Sequence, residues 1–268
     1  LAGNDFLTQT RTRGRTTAAV VAAAMVLTVV AVASGWQPWR ATPTATTAAP
    51  GQAQTSRAPA LDAALPPSTP GPTVPSAGVV DDLPPLGEVT VLPRGRGRVG
   101  TFRTGYPMTL RGAIAAAVEY TGQAGCLDAA CVDAFTRAAL DPAWTAGRAE
   151  ELAGTRKTRA MLGIPEGQPV PAGAVLTPTP MAYQLAPIPP DTIPAGDRSP
   201  RVRVMLLVYV ALAGPAISPR NTLVALPATL HWTGGDWKLT AGDRSYPELV
   251  AQPGTPQAAA LGWRDFAA

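Results

Sequence analysis

Lysine is nearly missing from this chain: of 22 basic residues only Lys157 and Lys238 are lysine, and the rest are arginine. Histidine occurs once, at His231, and cysteine twice, at Cys126 and Cys131. A lone histidine cannot build a metal site, because ligands come in threes or fours, and two cysteines are too few for a disulfide scaffold or a zinc site. Charged residues make up only 15% of the 268 positions and the net charge is +4. That small excess comes with heavy Ala usage, so it reads as compositional bias and argues against a nucleic-acid partner.

Charge is missing altogether from Thr16 to Gly35, TTAAVVAAAMVLTVVAVASG. A helix of this length can cross a bilayer core of about 30 Å. Arg11, Arg13 and Arg15 precede it, and Trp36, Trp39 and Arg40 come directly after it. The arginine bias predicts a single-pass protein of the cell membrane, with residues 1–15 as a cytoplasmic tail, 16–36 as the anchor in the lipid bilayer and the remainder outside. The alternative is a cleaved secretory signal ending after Ala31-Val32-Ala33, which would release a secreted protein. Both readings export residues 41 to 268.

Residues 41 to 85 have no Phe, Tyr or Trp, ten prolines and four charges, Arg57, Asp62, Asp81 and Asp82. Such a segment buries too little apolar surface to offset its ordering entropy. We therefore expect a disordered Pro/Ala/Thr-rich linker over residues 37–100, followed by an exported α+β domain over 101–268. Glu88 to Leu92 can form a short strand near the linker's end.

Periodicity predicts three helices in that domain. Thr109 caps one from Leu110 to about Thr121, ended by Gly122; the second runs from Leu127 to Leu140, stopped by Asp141-Pro142. Thr145 is expected to cap the third, which closes at Leu162-Gly163 with Ala149, Leu152, Ala153, Arg156 and Ala160 as its inner stripe. Strands come next at Met181–Ile188, Arg201–Leu212, Asn221–Thr233 and Asp236–Thr240. Pro227 demands a bulge, a bend or an edge position, and Gly234-Gly235 marks a tight hairpin turn. A C-terminal helix is expected from Pro256 to Phe266. Helices first and antiparallel strands after them give the α+β class.

The segments MTLRGAIAAAVEYTG, RVRVMLLVYVAL and NTLVALPATLHWTGGDWKLT, the last with a W-x-x-G-x-W-K-L hairpin, occur in this order. In that order the chain resembles the nuclear transport factor 2-like superfamily. The resemblance covers roughly residues 100 to 245 and implies about three helices packed on a curved antiparallel sheet, a cone. With the tail, anchor and Pro-rich linker, the layout is similar to anchored assembly components of conjugation and type IV secretion machinery, and to poorly characterised actinobacterial proteins of the same plan. It implies protein partners in an envelope complex, or self-association. Other members of the superfamily are enzymes or small-ligand binders, so the fold alone does not assign a function.

Candidate sites are sparse. Gly95, Gly97 and Gly100 match G-x-G-x-x-G, but the helix that must open at the end of such a loop is replaced by Gly105 and Pro107, so the reading is a basic linker end and no cofactor is expected. Arg94, Arg96, Arg98 and Arg103 form a basic run suited to a solvated segment or to an anionic partner. Cys126 and Cys131 would lie about 7.5 Å apart along a straight helix axis, so a disulfide requires Cys126 to sit in the preceding loop. His231 falls on the opposite strand face from Leu230 and Trp232. Glu150 and Glu151 lie near a helix start, where they favour the dipole, and Asp236 reads as a turn residue. Ser199, Ser218 and Ser245 lack any nucleophile setting. Trp263 and Phe266 either dock on the domain or present a patch to a partner. No convergent titratable set is visible, which favours a non-enzymatic assembly component over an exported module with a small apolar cavity, and both over an enzyme.

Overall fold

A computed structural model of the protein describes residues 78–267, apart from 190–192, 194–195 and 241–245. The expected tail, the anchor over 16–36 and the linker up to residue 77 lie outside the described residues. Among the described residues no helix is long and apolar enough to cross a membrane.

The chain forms β1 (Thr90–Val91), β2 (Gly97–Val99), β3 (Phe102–Thr104), α1 (Leu110–Gly122), α2 (Ala129–Ala139), α3 (Gly147–Leu162), β4 (Val175–Ala186), β5 (Arg201–Gly214), β6 (Ile217–Thr233), β7 (Asp236–Leu239), α4 (Pro256–Ala260) and β8 (Arg264–Ala267). The six-stranded sheet has the order β1-β8-β4-β5-β6-β7, and β2 and β3 form a separate hairpin. Strands β4 to β7 make an antiparallel meander; β8 returns antiparallel to β4, and β1 lies parallel to β8. The protein is α+β, with helices packed on a curled, mainly antiparallel sheet.

Local side chains cap the starts of α1 and α2 and a glycine ends α3. The Thr109 side chain accepts from Gly112 N–H at the start of α1, and Asp128 accepts from Cys131 N–H at the start of α2. Gly163 ends α3 in the left-handed conformation (φ 77°), which a side chain adopts only with strain, and a Cβ there would stand 2.6 Å from that of Ala216. The β6–β7 turn is Gly234-Gly235, both with positive φ, as a two-residue hairpin of this twist requires.

The prolines mark where strands lack a second neighbour. Pro227 faces Met205 of β5, while β7 pairs β6 only from Leu230 to Thr233, so its missing N–H falls on an open edge. Pro178 and Pro180 sit likewise in β4, which β8 covers only at Ala182 and Tyr183.

Strand β5 is buried on both faces. Val202, Val204, Leu206, Val208 and Val210 pack with Ile114, Tyr120, Val132 and Phe135 in the helix-side core. Met205 and Leu207 join Ala225, Ala251, Ala258 and Trp263 in a smaller core on the other face. Two-sided burial explains why RVRVMLLVYVAL reads as a continuous apolar run with no alternation.

Several expectations need correction. Helix α3 starts at Gly147 after Ala146, and Thr145 provides no cap. Its inward residues are Gly154, Thr155, Thr158, Arg159 and Leu162, whereas Ala149, Arg156 and Ala160 are exposed. Arg159 explains the shift: its guanidinium donates to the carbonyls of Leu127, Pro165 and Gln168, which ties the loop before α2 to the loop after α3 from an inward position. The expected C-terminal helix Pro256–Phe266 is one short turn, α4, followed by strand β8, because Gly262 (φ 86°) breaks it and the edge of β4 is free to pair. Folded structure also begins before residue 101: Val79 and Thr90 are buried, and β1 belongs to the sheet.

Candidate functional site

Between the helices and the sheet lies a cavity of about 110 Å³. Phe135 of α2, Leu140, Val210 of β5 and Leu226 of β6 supply its apolar walls, and Glu151, Thr155 and Thr158 of α3 supply most of its polar edge. The cavity exists because α3 turns a polar face inward. Residues 151, 155, 158 and 162 have the i, i+4, i+7, i+11 spacing of one helix face, and only the last is a large apolar side chain.

Most polar groups in the lining are already engaged. Thr155 Oγ1 donates to the Cys126 carbonyl (3.3 Å), Thr240 Oγ1 to the Thr229 carbonyl (3.3 Å), and the Tyr120 hydroxyl to Asp236 Oδ2 (3.3 Å). Glu151 differs: no hydrogen bond or ion pair connects it to a described residue. Burial, then the neighbouring Glu150 carboxylate, pushes its carboxyl up to about 7. Burial also raises Glu150, whose hydrogen bond to Trp144 opposes the rise, and Glu150 Oε2 is buried without a partner.

A second polar cluster closes the end of the sheet. Asp236 Oδ1 accepts from the backbone N–H groups of Tyr106 and Trp237, each at 2.9 Å, and Oδ2 accepts from Tyr120 and from Lys238 Nζ (3.0 Å). Burial and then the surrounding carboxylates hold both tyrosine hydroxyls well above the usual phenol range, so they stay protonated and can donate. Asp236 is thus a structural hub in addition to flanking the turn. His231 Nδ1 lies 2.5 Å from Asp141 Oδ2. Its Nε2 is buried without a partner and is not part of the cavity lining. An Asp–His pair of this kind can orient an imidazole, and here its second nitrogen is buried outside the cavity lining.

The residues singled out from sequence are not brought together. Cys126 and Cys131 are joined in a disulfide with Cα atoms 5.4 Å apart, Cys126 lying in the loop before α2 as the spacing requires. Arg94, Arg96 and Arg98 are exposed on or beside the β2–β3 hairpin, where Arg98 faces Arg103 across the strands. That hairpin occupies the G-x-G-x-x-G segment, which opens no helix and so lacks the amides a dinucleotide phosphate needs. Trp263 and Phe266 dock on the domain: Trp263 is buried, its indole donating to the Leu249 carbonyl (2.9 Å), and the half-buried Phe266 packs near Tyr183. Trp263 is drawn in where the C-terminal segment covers the back of the sheet, and Phe266 packs against the helix-side core.

Sequence reasoning allowed a small apolar cavity but did not place its lining, and it read Glu151 only as a charge near a helix start. The signal available was the polar face of α3, where an apolar one is the rule. It also missed the open apolar edge. Of seven exposed large hydrophobic residues among those described, four (Val80, Leu86, Val89 and Val91) come from the short stretch that contains β1. In comparison with known proteins, the chain matches no family model, no curated protein and no solved structure.

Proposed function

We propose that this protein is a non-enzymatic, membrane-tethered assembly component of a cell-envelope complex, of the kind that serves conjugative DNA transfer or secretion. The anchor is residues 16–36, and the exported domain is a nuclear transport factor 2-like cone. The observation that carries the reading is the β1 edge. It is the last strand of its sheet, and it comes directly after the chain arriving from the proposed tether. Val89 and Val91 on this edge are 56% and 65% exposed, and Leu86 beside it 82%. Domains blunt such edges with charge, bulges or short strands; β1 spans only two residues, and the exposed apolar side chains around it extend the surface open to a partner strand. The carboxylates of Asp236 and Asp141 are taken up by structural bonds, which supports contact over chemistry.

The test is in vivo crosslinking of the tagged full-length protein followed by mass spectrometry. The reading predicts envelope subunits of a transfer or secretion apparatus, or a second copy of this chain, among the products. Recovery of monomer alone contradicts it. Tethering is checked separately by the mature N-terminus: a start near Ser34 or Gly35 means the leader is cleaved. The cavity favours a second reading, an exported module that binds a small apolar ligand.

A further inference from the structure

Glu151 presents its carboxyl to a cavity whose other walls are mainly apolar and aromatic. The Glu151 side chain is half-buried and no described residue donates to it, so its carboxylate is partly desolvated without compensation, whereas a structural role would give it a donor. No Lys or Arg lines the cavity. The titratable groups around Glu151 are Glu150 on its own helix and Tyr120 of α1 across the cavity, whose hydroxyl is committed to Asp236. Both neighbours are acidic or neutral, so the potential at the site is negative. The rings of Trp144, Phe135 and Tyr120 line the same space, and aromatic faces attract cations. An anionic ligand is repelled here, and a purely apolar one leaves the carboxyl unsatisfied.

We propose that this cavity binds a small alkylammonium ion, its chain among Phe135, Leu140, Val210 and Leu226 and its ammonium against Glu151, beside Trp144. The inference rests on the ligand-binding reading of the cavity. Volume sets the size: the cavity is about 110 Å³, and one of about 150 Å³ admits benzene. The alkylammonium therefore has roughly four or five non-hydrogen atoms, by the same scale. Binding needs the ionised carboxyl, so it is strong at alkaline pH. It weakens as the pH falls through the Glu151 value of about 7.

The experiment is methyl NMR of the full-length protein in detergent micelles, observing Leu140, Val210 and Leu226, with isobutylammonium and xenon as probes. Isobutylammonium is expected to shift these methyls saturably at pH 8.5 and to bind about tenfold or more weakly to Glu151→Gln. Xenon, which needs no carboxylate, is expected to shift them equally in both proteins. The wild-type protein alone provides a second measurement, in which saturating isobutylammonium must lower the pH at which the Glu151 carboxyl titrates. If xenon enters but isobutylammonium does not, or binds Glu151→Gln as well as wild type, the ammonium site is wrong while the cavity still binds ligands. If neither probe shifts the methyls, the ligand-binding reading fails too.

Discussion

Two carboxylates in this domain have opposite fates. Asp236 is saturated, with four donors on two oxygens. Replacing it with Asn removes the charge from all four bonds and turns an amide N–H toward either the backbone N–H groups or Lys238, which only donate. We expect Asp236→Asn to lose about 2–4 kcal/mol of unfolding free energy in urea titrations. Glu151 is the reverse case. Its folded-state value of about 7 lies above the ordinary 4.5, so the folded state holds its proton more tightly than the unfolded state does. Glu151 therefore costs nothing below about pH 4.5, its penalty grows as the pH rises from there to about 7, and it is constant above. With partial exposure discounted, Glu151→Gln should gain on the order of 2 kcal/mol at pH 8 and almost nothing at pH 4. A gain independent of pH would show that Glu151 is solvated. Neither fate is legible in sequence. Tyr106 and Tyr120 meet Asp236 from 130 and 116 residues away, and a local pattern carries no sign of such a meeting. Glu151 reads as a favourable charge near a helix start, because nothing local says that its face turns inward.

At the scale of elements, what local chemistry controls is readable. The caps of α1, the glycine stop of α3, the long β5 and the Trp-flanked hairpin arise from side chains a few residues apart, and their positions agree with the pattern. The inner face of α3 is not readable, since the apolar stripe Ala149, Leu152, Ala153 is weak and two loops draw Arg159 inward. The C-terminal segment misleads for a related reason: a free edge on β4, supplied by strands far away in sequence, turns a helical pattern into β8. The disulfide lies between these cases, with a spacing that allows it only with a loop at Cys126. It closes a short ring, so its effect on chain entropy is modest. The double variant Cys126→Ser/Cys131→Ser should lose about 2 kcal/mol in denaturant titrations. It borders the cavity, so its loss should also alter the methyl signals there.

The described residues form a sheet covered on one side by three helices and on the other by the C-terminal segment, with the β1 edge bare. Both faces are occupied, so a partner has little apolar surface to find except along β1 and the residues before it. The exposed Arg94, Arg96 and Arg98 at the β2–β3 hairpin form no ion pairs among the described residues. The α+β class, which the order of helical and strand patterns predicts, is what makes this plan: helices laid down first cover one face, and the last residues close the other. The central claim is that the β1 edge is where this protein meets its partners. The most direct measurement is site-specific photocrosslinking in cells, with a photoreactive residue at Val89 or Val91 of the full-length chain and, as a control, at the exposed Gln257 on α4. The account predicts membrane-fraction adducts with an envelope subunit or with a second copy from positions 89 and 91, and none from 257. Monomer alone from 89 and 91, in cells where the protein is otherwise expressed and folded, would contradict it.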